Sequence, residues 1–277
     1  MQSPISPVEE KPVTELRKLQ LIELNLLKNF DKLCKKHNLT YWIAYGTVLG
    51  AVRHGGFIPW DDDIDVCMPM KDYKKFLTIA EKELPEYILL CYKRKGSKYN
   101  KLFAKLMDKR TTFVEKYASL CDGEFYGVYL DIFPYIKYPA ISEKLTSWFT
   151  EKMMLLNWRK NQYQRITIPR IFFWLFVSVS LACLKFIWNI LSLKCGEYME
   201  LIPEDNGYFK RVKCDDIFPL KPIHFEDADY PAPNNTDAYL KTFYNDYMTL
   251  PPEEKRQPHY LYFNTEKSYF QHMGKEK

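Results

Sequence analysis

The feature that most constrains the fold of this chain is a run of four aspartates within residues 61–65. Neighbouring carboxylates repel and raise one another's pKa, so the run is unfavourable unless a metal ion or a Lys or Arg side chain neutralises it. Residues 63–66 alternate between aspartate and apolar side chains, which is typical of a strand with Asp63 and Asp65 on one face. Two carboxylates on one strand suit Mg²⁺, which prefers oxygen ligands and shares its coordination with substrate phosphates.

The aspartate run belongs to a longer pattern. An acidic run alone is often a solvated turn, but here a short amphipathic segment ending in Arg53-His54 separates it from a glycine turn at Gly46-Thr47. The order of glycine turn, helix and Asp-x-Asp strand resembles the nucleotidyltransferase superfamily. The string from Tyr45 to Asp65, YGTVLGAVRHGGFIPWDDDID, resembles more closely the signature of the LicD family of phosphotransferases, which includes fukutin and fukutin-related proteins.

Two further stretches resemble the LicD family. Asp131-Ile132-Phe133-Pro134 matches the Asp-Ile-Phe-Pro of that family, and residues 212–259 resemble its C-terminal part. There the family usually has Tyr-Gly-Asp-Tyr-Met, whereas this chain has Asn245 in place of the glycine. Asparagine tolerates a positive φ, so we expect the turn to be retained. The resemblance covers about residues 15–135 and 212–259, and the segment between them is similar only in helical character.

The resemblance implies an α/β (α+β) fold, in which a nucleotidyltransferase-type mixed sheet is flanked by helices and carries a helical insertion. We divide the chain into a catalytic core at 1–140, a helical, apolar insertion at 141–200 and a C-terminal part of the same catalytic domain at 201–277. Residue patterns predict helices over 14–38, 48–53 and 71–84, and strands over 40–45, 63–66, 87–92, 102–107 and 126–134.

A third carboxylate, Asp131, lies in the otherwise apolar strand predicted over 126–134. A carboxylate there is unfavourable without a partner, although it could also cap the end of the strand. The resemblance implies that Asp63, Asp65 and Asp131 are the catalytic residues and that the same three bind Mg²⁺, with Mn²⁺ as the alternative ion. Asp61 and Asp62 are expected to support these ligands or to form the turn before the strand.

Substrate-binding residues follow from the same segments. The helix after Gly46 and Thr47 presents N-terminal amides that suit a phosphate, and Arg53 suits bidentate pairing with a diphosphate, assisted by His54. The basic region at 93–110 is either a solvated strand edge or a phosphate clamp. The resemblance implies that the clamp uses Lys101 or Lys105, of which we favour Lys105.

Composition excludes several classes of function. A net charge of +5 spread over 277 residues argues against a dedicated nucleic-acid binder. Seven scattered cysteines without Cys-x-x-Cys favour reduced thiols over disulfides or a zinc site. The common motifs of P-loop ATPases, Rossmann dehydrogenases, serine hydrolases and zinc proteases do not occur in the sequence. Of the classes of function considered, metal-assisted phosphoryl transfer is the one that remains.

The resemblance also implies the substrates. LicD-type enzymes transfer the phospho-alcohol of CDP-choline or CDP-ribitol to a sugar hydroxyl and release CMP. We therefore expect phosphocholine transfer from a CDP-activated donor to a glycan or glycolipid acceptor. Two alternatives stay open: transfer of NMP from an NTP by the same fold, and a non-catalytic membrane adaptor. The intact aspartates disfavour the adaptor, because a degenerate site has no reason to keep a repulsive cluster.

An apolar segment suggests contact with a membrane. Residues 171–184 carry no charge over 14 positions, Lys185 interrupts, and apolar residues resume to 193. This run is short of the roughly 20 residues that cross a bilayer, so we favour a membrane-surface element over a core helix or a span. The N-terminus has no signal-peptide pattern. We expect a bacterial, cytoplasmic enzyme peripherally associated with the inner face of the cell membrane.

Overall fold

A computed structural model describes residues 14–94, 99, 101–115, 126–138, 168–192, 198–201 and 211–269, together with scattered positions between 145 and 156. The described helices are α1 (Glu15–Lys36), α2 (Tyr45–His54), α3 (Met70–Glu83), α4 (Ile168–Ser192), α5 (Cys214–Ile217) and α6 (Thr236–Tyr244), and a 3-10 turn spans Glu253–Lys255. The strands are β1 (Trp42–Ile43), β2 (Asp65–Pro69), β3 (Ile88–Cys91), β4 (Ala104–Asp108), β5 (Thr112–Glu115), β6 (Tyr129–Tyr138), β7 (Tyr198–Leu201), β8 (Arg211–Lys213), β9 (Lys221–Phe225), β10 (Ala228–Ala232) and β11 (Tyr260–Asn264).

Helix α1 confirms the helix predicted over 14–38. Thr14 caps it, since its hydroxyl accepts a hydrogen bond from the backbone N–H of Arg17 at 3.2 Å. Leu19, Leu26 and Phe30, which recur at helical spacing, are completely buried. The apolar face of α1 thus packs on the sheet, and α3 confirms the helix predicted over 71–84 in the same layer.

The mixed sheet that the sequence predicted is present. Within the described part of the chain, β1, β2, β6, β4 and β3 lie side by side in that order. Strands β2 and β6 are parallel, and the other pairs are antiparallel. The far half of β6 pairs with β7, which in turn pairs with β8. Strands β3, β4 and β6 confirm the predictions over 87–92, 102–107 and 126–134, whereas the strand predicted over 40–45 shortens to β1.

The register of the sheet follows from the alternation of side chains between its two faces. Ile64, Val66, Leu106 and Ile132 are completely buried in the core on one face. The residues between them therefore point to the other face, and a slip of one residue would exchange the two sets. In this register Asp65 of β2 and Lys105 of β4 both lie opposite Asp131 of β6.

Two predicted boundaries in the aspartate segment are wrong. Helix α2 begins at Tyr45, so Gly46-Thr47 lies in its first turn and not in a turn before a helix at 48–53. The reason is that the N–H of Ala44 still bonds to the carbonyl of Asp65, which holds the chain in the sheet up to the helix start. Strand β2 begins at Asp65, not at Asp63, because the Gln20 side chain binds the carbonyl of Asp61 and the backbone N–H of His259 binds the carboxylate of Asp62.

The C-terminal residues form two further two-stranded sheets. Strands β9 and β10 form an antiparallel hairpin, and β11 pairs with β5 so that Tyr260 lies opposite Glu115. Buried residues of this part, such as Phe225 and Tyr239, belong to the same core cluster as β2 and β6. The division at 1–140, 141–200 and 201–277 stays a prediction, and much of 141–200 lies outside the described residues.

Helix α4 lies within the predicted helical insertion and exposes many large apolar side chains. Its exposed members are Phe172, Leu175, Phe176, Val179, Phe186, Ile187 and Ile190. In the portion of the chain that the structure describes, no helix has the length and apolar character needed to cross a bilayer.

Candidate functional site

Three charged side chains form a row across adjacent strands. Asp65 (β2), Asp131 (β6) and Lys105 (β4) are partners in register, so their side chains share the face of the sheet opposite Val66 and Ile132. Asp63 lies close to the row, since its charge adds to the raised pKa of Asp65 and the Lys105 ammonium opposes the rise in the pKa of Asp63. The structure therefore brings together the three predicted metal ligands and the predicted phosphate-binding lysine.

The carboxylates of this row are in a buried, crowded environment. Burial raises the pKa of Asp63 to about 6, and the Asp62 carboxylate adds to the shift. Burial, followed by the charges of Asp63 and Asp131, holds the pKa of Asp65 well above its usual value. Burial also raises the pKa of Asp131 to about 7, although the Lys105 ammonium opposes the shift. Such a cluster is stabilised by additional positive charge.

Lys105 is a buried cation held in place by two carboxylates and a ring. Its Nζ lies 2.6 Å from Glu115 Oε1 and 3.3 Å from Asp131 Oδ1, and 3.2 Å from the centroid of the Tyr129 ring. Burial lowers the pKa of Lys105, but Asp131 and then Glu115 outweigh it, so the net shift is upward. Burial would raise the pKa of Glu115, yet Lys105 and Lys101 lower it to about 2. Lys105 thus remains charged.

Glu115 is a site residue that the sequence did not identify. It stands at the end of a short strand after the basic region, and no local pattern distinguishes it from a solvated glutamate. Lys101, the alternative to Lys105, also lies near it, with Nζ 3.7 Å from Glu115 Oε2. Both predicted lysines therefore meet at the same carboxylate, and only Lys105 reaches Asp131.

Gly46 and Thr47 support the aspartates directly. The Thr47 hydroxyl accepts a hydrogen bond from the backbone N–H of Asp65 at 2.9 Å, which fixes the start of β2. A Cβ at Gly46 would lie 3.0 Å from Asp61 Oδ2, so glycine allows that carboxylate to approach the first turn of α2. Tyr45 has a φ of 43°, an unfavourable value for a bulky residue that the surrounding contacts maintain. The predicted phosphate contacts of Gly46 and Thr47 stay predictions.

Arg53 and His54 lie at the end of α2, next to Trp60. Arg53 donates from Nε to His54 Nε2 at 3.0 Å and from Nη1 to the carbonyl of Tyr247 at 2.9 Å. The guanidinium carbons of Arg53 and Arg256 lie 6.0 and 5.2 Å from the centroid of the Trp60 ring. Burial lowers the pKa of Arg53, Asp61 raises it, and Arg256 lowers it further. No function was assigned to Arg256 from the sequence, although its segment resembles the LicD family.

Asp62 holds the C-terminal segment against the site. Its Oδ2 accepts hydrogen bonds from the backbone N–H groups of His259 at 2.7 Å and Tyr260 at 2.9 Å. Its Oδ1 lies 3.0 Å from His259 Nδ1, and this hydrogen bond raises the pKa of the imidazole to about 9. Donor atoms of Asp61, Asp62 and His259 lie within 4.8 Å of one another. In this arrangement His259 is a hydrogen-bonded counter-ion of Asp62.

Aromatic rings adjoin the carboxylate row. Phe133 follows Asp131 by two residues on the same face, and its ring centroid lies 4.6 Å from that of Phe103 and 5.6 Å from that of Tyr45. Burial, followed by the nearby aspartates, raises the pKa of Tyr244, so its hydroxyl lies near these charges. Asn245, which follows it, has a φ of 53° and confirms the predicted turn.

The carboxylates of Asp63, Asp65 and Asp131 are ligands of the kind that a divalent cation prefers. Asp65 and Asp131 lie side by side on adjacent strands, and Asp131 Oδ1 is buried without a well-aligned hydrogen bond, with Lys105 Nζ 3.3 Å away. A buried oxygen of this kind is costly unless it binds a cation, and Lys105 at 3.3 Å compensates only part of the charge. The donor set consists of hard oxygens, which Mg²⁺ and Mn²⁺ prefer.

Comparisons with known proteins point to one family. A family model described as LicD/FKTN/FKRP, nucleotidyltransferase domain, matches residues 38–177. The lipopolysaccharide cholinephosphotransferase LicD of Haemophilus influenzae is 30% identical over 260 residues, which cover 89% of this chain and 96% of that protein. The ribitol 5-phosphate transferase FKRP of Mus musculus is 50% identical over only 32 residues, 12% of this chain and 6% of that protein. The similarity to the Haemophilus protein thus extends over nearly all of both chains.

Proposed function

Because the chain belongs to the LicD/FKTN/FKRP nucleotidyltransferase family and is a phosphotransferase, we propose that it transfers phosphocholine from CDP-choline to a sugar hydroxyl. The acceptor is a cell-surface glycan or its lipid-linked precursor, and CMP is released. The observation that carries this proposal is the row of Asp65, Asp131 and Lys105 across three adjacent strands. The similarity to a lipopolysaccharide cholinephosphotransferase supports the choice of donor.

The proposed reaction exchanges a phosphoanhydride bond of the donor for a phosphate ester bond to the acceptor. The acceptor oxygen attacks the phosphorus that bears the alcohol, a new P–O bond forms, and the bond from that phosphorus to the bridging oxygen of CMP breaks. Asp131 accepts the hydrogen bond, and then the proton, of the acceptor hydroxyl. Lys105 supplies positive charge beside Asp131, where it stabilises the negative charge of the phosphoryl group.

A divalent metal belongs to this proposal. Asp63, Asp65 and Asp131 would hold Mg²⁺ or Mn²⁺. When bound, such an ion neutralises charge on the transferring phosphoryl group and on the leaving group. Thr47 contributes by fixing the backbone of Asp65, and Glu115 contributes by holding Lys105. Arg53, with His54 beside it, binds the diphosphate of the donor.

The aromatic rings near the row support choline as the alcohol. A quaternary ammonium group is attracted to the faces of aromatic rings. Phe133 follows Asp131 by two residues, and the Tyr45 ring contacts Phe133 and Phe243 with centroids 5.6 and 4.9 Å away. Ribitol would instead need hydroxyl-binding polar groups. Phosphoribitol or another CDP-alcohol is therefore the second choice of donor.

The exposed apolar side chains of α4 support a peripheral position at the inner face of the cell membrane. Phe172 and Phe176 are 70% and 68% exposed, and they stand one helical turn apart. Contiguous exposed apolar surface marks a docking site, and a helix that lies in the membrane interface would bury it. This position would bring the enzyme to a lipid-linked acceptor.

The test is CMP release from CDP-choline, CDP-ribitol, CDP-glycerol and CDP-ethanolamine, with a membrane glycolipid extract as acceptor. We expect release from CDP-choline that needs Mg²⁺ and stops with EDTA. Asp65→Ala and Asp131→Asn should reduce the rate by at least about a hundredfold, and the exposed Asp215→Asn should leave it unchanged. Pyrophosphate release from CTP or ATP, without CMP release from any donor, would identify a nucleotidyltransferase instead.

A further inference from the structure

We propose that Arg256 binds the diphosphate of the donor together with Arg53, and that Asp62 is the positioning residue that holds Arg256 in place. The two arginines come from distant parts of the chain and meet at the Trp60 ring. The assignment of the ligand as a nucleoside diphosphate rests on the proposed function. The two-arginine anion site itself does not depend on the proposed function.

The hydrogen bonds of the two guanidinium groups leave their charge uncompensated. Arg53 donates to the His54 ring and to the carbonyl of Tyr247, both of which are neutral acceptors. Arg256 donates from Nε to the carbonyl of Pro251 at 2.7 Å. A Glu253 oxygen lies 4.0 Å from Arg256 Nη1, but that side chain is 90% exposed, so water screens the pair.

Two guanidinium groups at one ring repel each other. Burial lowers the pKa of Arg53, Asp61 raises it, and the charge of Arg256 lowers it again to a smaller extent. An anion between the two groups would remove this cost. A diphosphate presents two adjacent charged groups, each with oxygens that match the fork of an arginine.

The arginine pair borders the carboxylate row. Asp61 is close enough to Arg53 to oppose the lowering of its pKa, and the same carboxylate lies against Gly46 at the start of α2. A diphosphate at the arginines would therefore extend toward Asp63 and Asp65. Its far phosphate would reach the row where the transfer occurs.

Asp62 determines where Arg256 lies. Arg256 precedes His259 by three residues, and Asp62 binds the backbone N–H groups of His259 and Tyr260. The pairing of β11 with β5 continues this attachment. Asp62 is only 1% exposed, so its carboxylate binds the segment of His259 and Tyr260 and not solvent. Asp62 is a positioning residue, because both of its carboxylate oxygens are already bonded to His259 and Tyr260.

The experiment is isothermal titration of the full chain, in Mg²⁺, with CDP, inorganic pyrophosphate and cytidine. Arg256→Ala should weaken CDP and pyrophosphate binding roughly tenfold or more, because a charge-assisted contact is lost, and should leave cytidine binding unchanged. Arg256→Lys should give an intermediate loss, since it keeps the charge without the fork. The control Lys255→Ala removes an equal charge from an exposed neighbour and should change neither affinity.

Asp62→Ala should weaken CDP binding by about the same factor as Arg256→Ala, and the double variant should be no worse, because the two residues act through one contact. Unchanged CDP and pyrophosphate affinity in Arg256→Ala would overturn the inference, whether or not Asp62→Ala folds. If the wild type binds pyrophosphate through Arg256 but does not bind CDP, the arginine site stands and the proposed donor fails. If the wild type binds neither CDP nor pyrophosphate, the arginine site and the proposed donor both fail.

Discussion

At the scale of single residues, the site depends on a buried lysine surrounded by acids. Lys105 is 3% exposed and contacts Glu115, Asp131 and the ring of Tyr129. A buried cation is stable only when its partners are complete. The position of Lys105 beside Asp131 therefore depends on Glu115, which itself would touch no substrate.

We predict that Glu115→Gln will lower kcat about ten- to a hundredfold and destabilise the fold by about 1–3 kcal/mol. The amide keeps the shape but loses the charge that holds Lys105. The pKa of Glu115 is lowered to about 2, so its contribution is fully present at neutral pH and is lost as the pH falls through that value. Urea denaturation at pH 7 and steady-state kinetics measure the two effects.

The matched control is Glu81→Gln, which removes a partly exposed glutamate that pairs with Arg94 at 3.1 Å on the surface. Surface ion pairs contribute little, so kcat and stability should stay near wild type. Equal effects of the two substitutions would show that Glu115 has no special role in positioning Lys105.

At the scale of structural elements, β11 and the residues before it are attached to the site through Asp62. The His259 imidazole gains a carboxylate partner on folding, which raises its pKa to about 9. A raised pKa means that the stabilisation is complete below the unfolded value near 6.5 and is lost as the pH rises through about 9. His259 is 61% exposed, so solvent screening makes this contribution small.

We predict that the Tm of the wild type will fall more steeply between pH 7 and pH 10 than that of His259→Gln. Glutamine cannot carry the charge that the rising pH removes. Differential scanning calorimetry across this range gives the comparison, with His224→Gln as the control because His224 is an exposed histidine of the β9–β10 hairpin. Parallel pH curves for wild type and His259→Gln would refute the role of the imidazolium in attaching β11.

Helix α4 carries a second prediction at this scale. If its exposed face contacts lipid, replacing Phe172 and Phe176 with glutamate should reduce binding to vesicles of anionic lipid by about tenfold or more, because buried aromatic area is lost. Co-sedimentation measures the bound fraction. Thr78→Glu adds a charge to an exposed position of α3 and should have no effect. Unchanged binding of the double variant would remove α4 from the membrane contact.

At the scale of the whole molecule, one core joins the N-terminal helix, the sheet and the C-terminal hairpin. Phe30 of α1 is completely buried and packs against Tyr41 and Phe76, with ring centroids 4.8 and 5.0 Å away. Buried residues of β9, β10 and α6 belong to the same cluster. These parts should therefore unfold together.

We predict that Phe30→Ala will destabilise the protein by about 3–5 kcal/mol, because a buried aromatic ring leaves a cavity. Leu21→Ala, on the exposed side of the same helix, should cost far less. Urea denaturation, followed by far-ultraviolet circular dichroism and by tryptophan fluorescence, measures the loss of stability and the cooperativity of unfolding. Two separate transitions in the wild type would contradict a single core.

The sequence by itself determined the principal helices, most strands of the central sheet, and the face on which each residue of β2 lies. Alternation at period two placed Ile64 and Val66 in the core and Asp63 and Asp65 opposite them, and this depends only on neighbouring residues. The same local logic identified α1 through its apolar spacing and the tolerance of Asn245 for a positive φ. The resemblance to the LicD family then predicted the match of Asp131 with the aspartates of β2.

Only the tertiary structure decided which distant residues complete the site. Glu115 is a partner of Lys105 although its strand, β5, pairs with β11 and not with β4. Arg256 reaches Trp60 because Asp62 holds a segment almost 200 positions away. The start of β2 also moved to Asp65, because side-chain contacts hold the residues before it. Local periodicity reports which face a residue occupies, but not which face of another element it meets, so these contacts could not be predicted from the sequence.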